Sequence, residues 1–377
     1  MFDLGKAIMD AVGTIAKTIE EESRKQEAQK KEAAEKSAPQ TDHPHVADSA
    51  PRTEKAPAFN TQAKYVPSFE FGRVWRFNRT LLSAQDQSLY DAINAATSRC
   101  IPSVKIACDG TPDVQHLMAV TLALIEDDPS LFYVDSGITV KYNGRVAEIE
   151  FKYNRFMDGK DQYLDLMKKK ARNIYETRVK NCSTTYEAEL AIHDYFIETM
   201  TYDGSDDVAA HSMAGPLITG KGVCEGISEA YCFVANACGI KTSMMSGKLE
   251  NENHRWNIVE IGGKRYHLDV TSDLGGMHAF FNCSDEKLRE THSFEKKSNC
   301  RATDLSYYTV NRSNFSTMKD AEAFLRQNAA NVPSSFEFRV ESGADAQSIG
   351  RAIQSGLRRN ARISITSKST CYKVDLK

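Results

Sequence analysis

The chain contains no apolar run long enough to span a membrane, no Cys-x-x-Cys pair and no long block of basic residues. The first absence excludes a membrane-spanning helix, which needs about 20 consecutive apolar residues. The second matters because the nine cysteines are scattered singly. It excludes both a disulfide framework and a cysteine-based zinc site, and such usage fits a reducing compartment. The third, with a formal net charge of −3 and a pI near 6.3, leaves no electrostatic footprint for nucleic acid. The form of a secretory signal is also missing. Asp3 and Asp10 interrupt the first apolar stretch, and no small-residue cleavage site follows. The expectation is a cytoplasmic protein, with export by a signal-less route left open.

What is present is an ordinary globular balance, 41% hydrophobic and 26% charged over 377 residues, enough for a sizeable core and two or three domains. Leu4, Ile8, Val12, Ile15 and Ile19 recur at helical spacing, so residues 2–22 read as an amphipathic helix. A charged, helix-prone stretch extends it to residue 36. Residues 37–64 are rich in Pro, Ala, Thr and Ser without apolar period, the composition of a disordered linker. The tethered helix could dock on a protein partner or fold back on its own domain. Residues 1–36 carry seven basic against eight acidic residues, so an anionic membrane surface gains little from them.

Residues 65–158 read as a small α+β unit. Ser83 is a plausible N-cap of one helix, a second covers about 112–127, and Asn143-Gly144 between two alternating runs signals a hairpin with a type I′ turn. Residues 159–315 begin with a polar helix and then a second, where Thr184 and Glu187 have capping-box spacing. Residues 316–377 read helix, strand, helix, strand, with "FEFRV" and "ARISITS" as the strands. Such a unit is a packing solution, and nothing in it suggests chemistry.

Chemistry enters at "GKGVCEGISEAY", residues 220–231. Ile227, Ala230, Tyr231, Val234 and Cys238 share one helical face, and Gly239 is a natural stop. Cys224 then falls in the first turn of a buried helix, where free N–H groups and the helix dipole favour thiolate. The Cys224 N–H itself could donate to an oxyanion. Glycines on both sides suggest room for a substrate backbone. A buried structural cysteine is the bland alternative.

Downstream, "NENHRWNIVEIGGKRYHLDVTSD" alternates on both sides of Gly262-Gly263. A two-residue turn there pairs Ile261 with Lys264, Ile258 with His267, Trp256 with Asp269 and His254 with Thr271. His254, Trp256, His267 and Asp269 then share one sheet face. His254 and Asp269 become diagonal neighbours at roughly 7–8 Å, which their side chains can span. A carboxylate that fixes the tautomer of an imidazole, opposite a thiolate at a helix start, is a nucleophilic acyl-transfer site.

These motifs resemble the transglutaminase-like superfamily, whose pattern is Gly-Val-Cys before a helix, His-x-Trp-Asn on a strand and Asp-x-Thr on the next. "GKGVCEGISEAYCFVANACGI", "HRWNIV" and "GKRYHLDVTSD" match it. "AIHDYFIETMTYD" and "FFNCSDEKL" extend the resemblance to about 185–292, and 83–180 resembles the flanking segment of bacterial members more weakly. The resemblance implies an α+β, papain-like core in which the cysteine helix packs on an antiparallel sheet. It implies Cys224 as nucleophile, His254 as base and Asp269 as orienter, with no metal and no organic cofactor. The expected activity is thiol-mediated acyl transfer or hydrolysis of protein or peptide amide bonds, as in a cysteine protease or a transglutaminase. The alternative is an inactive papain-like scaffold acting through its tethered helix and C-terminal unit. Tyr202 is a candidate oxyanion donor, or else a core aromatic. Trp256 either walls the site or simply packs. His267 ranks second as base and Asp273 as orienter, while His193 reads as structural. Asp206 and Asp207 read as an acidic surface turn, without the spacing of a calcium loop.

Overall fold

A computed structural model describes residues 64–108, 110–327, 333–357 and 363–376. The expected amphipathic helix and, apart from Lys64, the linker lie outside these residues. Residues Gln62–Lys377 form one compact unit.

The unit opens with α1 (Ala84–Thr97), β1 (Ser103–Ala107), α2 (Val114–Asp127), β2 (Val134–Tyr142) and β3 (Val146–Tyr153). Ser83 caps α1, its hydroxyl accepting from the Asp86 N–H at 3.2 Å, and Asp113 caps α2. The strands form an antiparallel sheet in the order β1-β3-β2. The expected type I′ turn is not formed. Tyr142 pairs with Ala147, and of the two turn residues only Gly144 has positive φ. The Asn143 side chain instead accepts from the Arg145 and Val146 N–H groups. This local bond competes with the left-handed conformation that a type I′ turn requires of Asn.

Helices α3 (Lys160–Ile174) and α4 (Thr185–Thr199) follow. The capping box of α4 is complete. Thr184 Oγ1 accepts from the Glu187 N–H at 3.1 Å, and the Glu187 carboxylate accepts from the Thr184 N–H at 3.2 Å. A short parallel pair, β4 (Thr201–Tyr202) with β5 (Lys221–Gly222), leads into α5 (Cys224–Ala237). Nearly every residue of α5 from Gly226 onward is buried, the mark of a helix enclosed on all sides. The left-handed Gly239 ends it at φ +83°.

The antiparallel sheet against α5 comprises β6 (Lys241–Leu249), β7 (Glu252–Ile261), β8 (Lys264–Leu268) and β9 (His292–Ser293), in the order β8-β7-β6-β9. Helix and sheet are joined by polar bonds as well as apolar packing. Asn257 Nδ2 donates to the Ser228 carbonyl at 2.9 Å, and Asn236 Nδ2 to the Thr242 carbonyl at 2.7 Å. The β7–β8 turn has the expected register, Ile261 with Lys264 and Ile258 with His267. Both Gly262 and Gly263 have positive φ, as a two-residue type I′ turn demands.

The C-terminal part holds β10 (Asn314–Phe315), α6 (Met318–Gln327), β11 (Ser335–Val340), α7 (Ala346–Leu357), β12 (Ile363–Lys368) and β13 (Cys371–Leu376). It has two strands more than expected, the two-residue β10 and β13. β13 lies between β11 and β12 and pairs antiparallel with both. The Ser369–Thr370 turn that starts it carries a non-glycine residue at positive φ and has no Gly or Pro to mark it. Most buried apolar residues between Tyr65 and Leu305 share one hydrophobic core, Trp256, Ile258 and Phe294 belong to a second, and Phe338, Ile349, Ile353 and Val374 to a third.

Gly226 shows how tightly α5 is seated. A Cβ there would come within 2.4 Å of the Ala210 carbonyl oxygen and 2.7 Å of that of Ser212. Alanine gains ~1 kcal/mol over glycine inside a helix, but forcing backbone apart costs about 1–3 kcal/mol or more. Gly226→Ala is therefore expected to lower the thermal unfolding midpoint. A midpoint equal to or above that of the parent would show that segment 210–212 yields freely.

Candidate active site

Cys224 is the first residue of α5, so its N–H has no partner within the helix and the dipole end faces its side chain. Val223 before it is anchored, its N–H donating to the Ala210 carbonyl at 2.9 Å. Gly222 and Gly226 serve the chain's own packing rather than a substrate's approach. The clearance at Gly222 is taken by Pro216, and that at Gly226 by the 210–212 backbone. This corrects the expected role of the flanking glycines.

His254 lies on β7, opposite Gly247 of β6. The β7–β8 ladder ends at Asn257–Leu268, so the expected pairings of Trp256 with Asp269 and His254 with Thr271 are not made. Asp269 leaves the sheet to cap the helical turn Val270–Asp273, accepting at Oδ1 from the Ser272 N–H at 3.1 Å. That departure brings its carboxylate to the imidazole, with His254 Nε2 2.8 Å from Asp269 Oδ2. The same oxygen accepts from Ser272 Oγ at 2.5 Å and lies 3.0 Å from His292 Nε2. Sequence reasoning does not find His292 or Ser272. His292 arrives on the two-residue β9, whose Leu249–His292 pairing no local sequence pattern announces.

The electrostatics follow from these contacts. Burial works against the charge of Asp269, but His254 and His292 hold its carboxyl far below the usual range. Burial lowers the basicity of His254, yet the Asp269 carboxylate and Cys224 together carry its pKa to about 10. Burial raises the Cys224 thiol, and the hydrogen bond and charge of His254, helped by the Arg255 N–H, bring it below the ordinary value. The cysteines buried elsewhere move the other way. Burial drives Cys238 up to about 12 and Cys371 to about 11. With Nε2 engaged by Asp269, Nδ1 is the His254 nitrogen left for the sulfur.

Cys224 and His254 line a cavity of about 690 Å³. Tyr202 lines it too, held beside the cysteine segment by the pairing of Tyr202 with Gly222. At 54% exposure it is not a core aromatic. Arg255 and Glu225 are further members that the sequence does not single out. Arg255 Nη1 donates to Glu225 Oε1 at 2.6 Å, and His211 Nδ1 lies 3.1 Å from Glu225 Oε2. Asp206 is on the cavity wall, while Asp207 bonds Arg155 and the Ala209 N–H.

The remaining candidates lie elsewhere. Trp256 is buried and does not line the cavity, which corrects its expected substrate-binding role. Its ring lies beside His254, and its Nε1 donates to His267 Nδ1 at 3.0 Å. His267 is fully buried, with Nε2 2.8 Å from Asp285, so it is not poised as a base toward Cys224. Asp273 is turned from His254 to His193, 3.2 Å away.

The C-terminal strands reach the loop that carries Asp269. Lys368 Nζ of β12 donates to the carbonyls of Ser272 at 2.5 Å and Leu274 at 2.7 Å. The ammonium thus caps the end of the helical turn.

Residues 172–274 match the family model described as "Transglutaminase-like superfamily". No curated protein matches the chain. Among solved structures, a proposed cysteine protease from Cytophaga hutchinsonii is similar at 16% identity and a TM-score of 0.26, covering 37% of this chain and 63% of that one. A protein described as a TGase matches at 13% identity and a TM-score of 0.27, covering 55% of this chain and 56% of that one. A proposed protease from Parabacteroides distasonis matches at 10% identity and a TM-score of 0.23, covering 36% of this chain and 35% of that one. The chain thus spans less than two thirds of each of these structures, and at such scores they carry no weight for its activity. By the family model, residues 172–274 are similar to the transglutaminase-like superfamily, and the packing of the Cys224 helix on an antiparallel sheet gives them the α+β arrangement of a papain-like core.

Proposed function

We propose that the protein is a cysteine-dependent enzyme that cleaves or transfers the acyl group of protein or peptide amide bonds, with Cys224, His254 and Asp269 as its catalytic residues. The observation that carries this reading is the electrostatic pairing at the cavity wall. A thiol lowered by an imidazole and an imidazole raised by a buried carboxylate describe a thiolate–imidazolium pair. Each shift has a sign that can be checked. His254, raised in the fold, keeps its proton below about pH 10. Cys224, lowered, loses its proton below the usual thiol range. Both charged forms coexist between those limits.

In the proposed reaction Cys224 Sγ attacks the carbonyl carbon, and the carbonyl oxygen becomes an oxyanion facing the unpartnered N–H groups at the start of α5. Collapse breaks the C–N bond, and His254 gives its proton to the leaving nitrogen. The thioester is then resolved by water, as in a protease, or by an amine, as in a transglutaminase. Asp269 holds the imidazole and offsets its charge in both halves. Tyr202, exposed on the cavity wall beside the cysteine segment, is the proposed second oxyanion donor.

Two measurements test this. Iodoacetamide is expected to alkylate Cys224 before the other eight cysteines at pH 7. In His254→Ala the rate at that pH should fall by at least about tenfold, because burial then acts on the thiol without the imidazole that offsets it. Uniform slow labelling would return the chain to the inactive-scaffold reading. Peptides incubated with and without a primary amine, read by mass spectrometry, report the second step. Shortened peptides mean hydrolysis, and a mass gain of amine minus ammonia means transfer at glutamine. Cys224→Ala should abolish either product, and His254→Ala should lower kcat/KM on the order of 10³-fold or more. Product formation unaffected by Cys224→Ala would refute the assignment.

A further inference from the structure

A second polar cluster lies away from the cavity, between α4, the loop after β8 and the C-terminal sheet. His193 and Asp194 come from α4, His278 from the loop, and Glu337 from β11. His193 is fully buried, and its Nδ1 has no hydrogen-bond partner. Its other nitrogen, Nε2, lies 3.2 Å from Asp273 Oδ2. The Asp273 carboxylate also accepts from the Phe280 N–H. With its proton kept on Nε2 toward the Asp273 carboxylate, the His193 ring presents a lone pair at Nδ1. That nitrogen faces Asp194 Oδ1 at 3.6 Å, too far for a hydrogen bond and close enough for one ion to touch both.

His278 repeats the pattern. Its Nδ1 is 3.0 Å from Glu337 Oε1, while the other Glu337 oxygen accepts from the His278 N–H and from Tyr308 Oη. Its Nε2 lies 2.8 Å from the same Asp194 Oδ1. Each imidazole therefore has its outer nitrogen on a carboxylate and its inner nitrogen aimed at a third. Carboxylate–imidazole pairs of this kind orient the histidines of metal sites and raise their basicity.

We propose that His193 Nδ1, Asp194 Oδ1 and His278 Nε2 bind a divalent first-row transition metal, with Zn²⁺ the ion that two imidazoles and a carboxylate suit best. The three atoms lie within 4.8 Å of one another. Tetrahedral ligands about 2.0–2.2 Å from zinc are roughly 3.3–3.6 Å apart. The His193–Asp194 spacing already fits, and the His278–Asp194 spacing must open by well under an ångström. Binding puts the ion in place of the His278–Asp194 hydrogen bond.

The charge balance favours a cation. Asp194, Asp273 and Glu337 surround the two rings, and the nearby Lys373 ammonium is held on the Gly276 carbonyl at 2.8 Å. Asp194 and His278 line a cavity of about 430 Å³, which leaves the fourth position open to water. Two similar clusters among the described residues lack the orphaned lone pair. His267 of the His267–Asp285–Cys300 group accepts from Trp256 at Nδ1 and so donates to Asp285 at Nε2. The His254–Asp269–His292 group belongs to the candidate active site. A metal at His193, Asp194 and His278 would tie α4, the loop that begins at Asp269 and β11 into one rigid joint.

The test uses the full chain and Zn²⁺ alone, titrated against a chromophoric chelator, with X-ray absorption at the zinc edge. One Zn²⁺ per chain is expected, in a nitrogen and oxygen shell, with a rise in thermal midpoint. Cys224→Ser should keep both. Asp194→Asn and His278→Gln should weaken binding by at least about a hundredfold and lose the rise. Asp194 is 35% exposed, so its amide carries the test if the buried histidine variant fails to fold. Absence of binding, a sulfur shell near 2.3 Å, or unchanged affinity in Asp194→Asn would overturn the proposal.

Discussion

The candidate site depends on a single buried carboxylate. Asp269 is wholly enclosed, and an isolated charge there would cost several kcal/mol after relaxation. It stays ionised because four donors converge on it: the Ser272 N–H and hydroxyl and the rings of His254 and His292. Those bonds fix where the His254 ring stands and which nitrogen it offers. The imidazole in turn lowers the thiol against the pull of burial. Remove the carboxylate and both shifts lose their source.

The surroundings of Asp269 are organised to hold it. It sits where a strand becomes a helical turn, and its own side chain caps that turn. The far end of the turn is closed by Lys368, and Lys373 and Glu337 grip the next residues. The C-terminal strands, whose sequence suggests packing alone, thus brace the loop on which the site's electrostatics rest. On the other flank, the Arg255–Glu225–His211 chain ties β7 to the first turn of α5. Cysteine and histidine are thereby held by a polar bridge as well as by the core.

Elements specified by local chemistry are legible in the amino-acid order itself. The α4 capping box, the Ser83 cap, the left-handed Gly239 and the Gly262-Gly263 turn each follow from residues a few positions apart. The hairpin register can be counted because a two-residue turn leaves one choice. Local patterns mislead where two preferences compete, as at Asn143, where a side-chain bond replaces the type I′ conformation. They are silent at β13, which lacks turn residues to announce it and gains its stability from strands on both sides.

Sequence alone determined that a cysteine would open a buried helix and that a histidine and an aspartate would stand near each other at one end of a hairpin. Spacing and periodicity carry that much, because helix faces and strand faces repeat at fixed intervals. Only the tertiary structure decided how the charges are held. It took Asp269 out of the ladder, brought His292 from a strand with no sequence signal, turned Trp256 inward and Tyr202 outward, and gathered His193, Asp194 and His278 into one cluster. None of these has a local code. Each depends on which distant segment comes to lie within about 3 Å of a polar atom, and folding alone sets that.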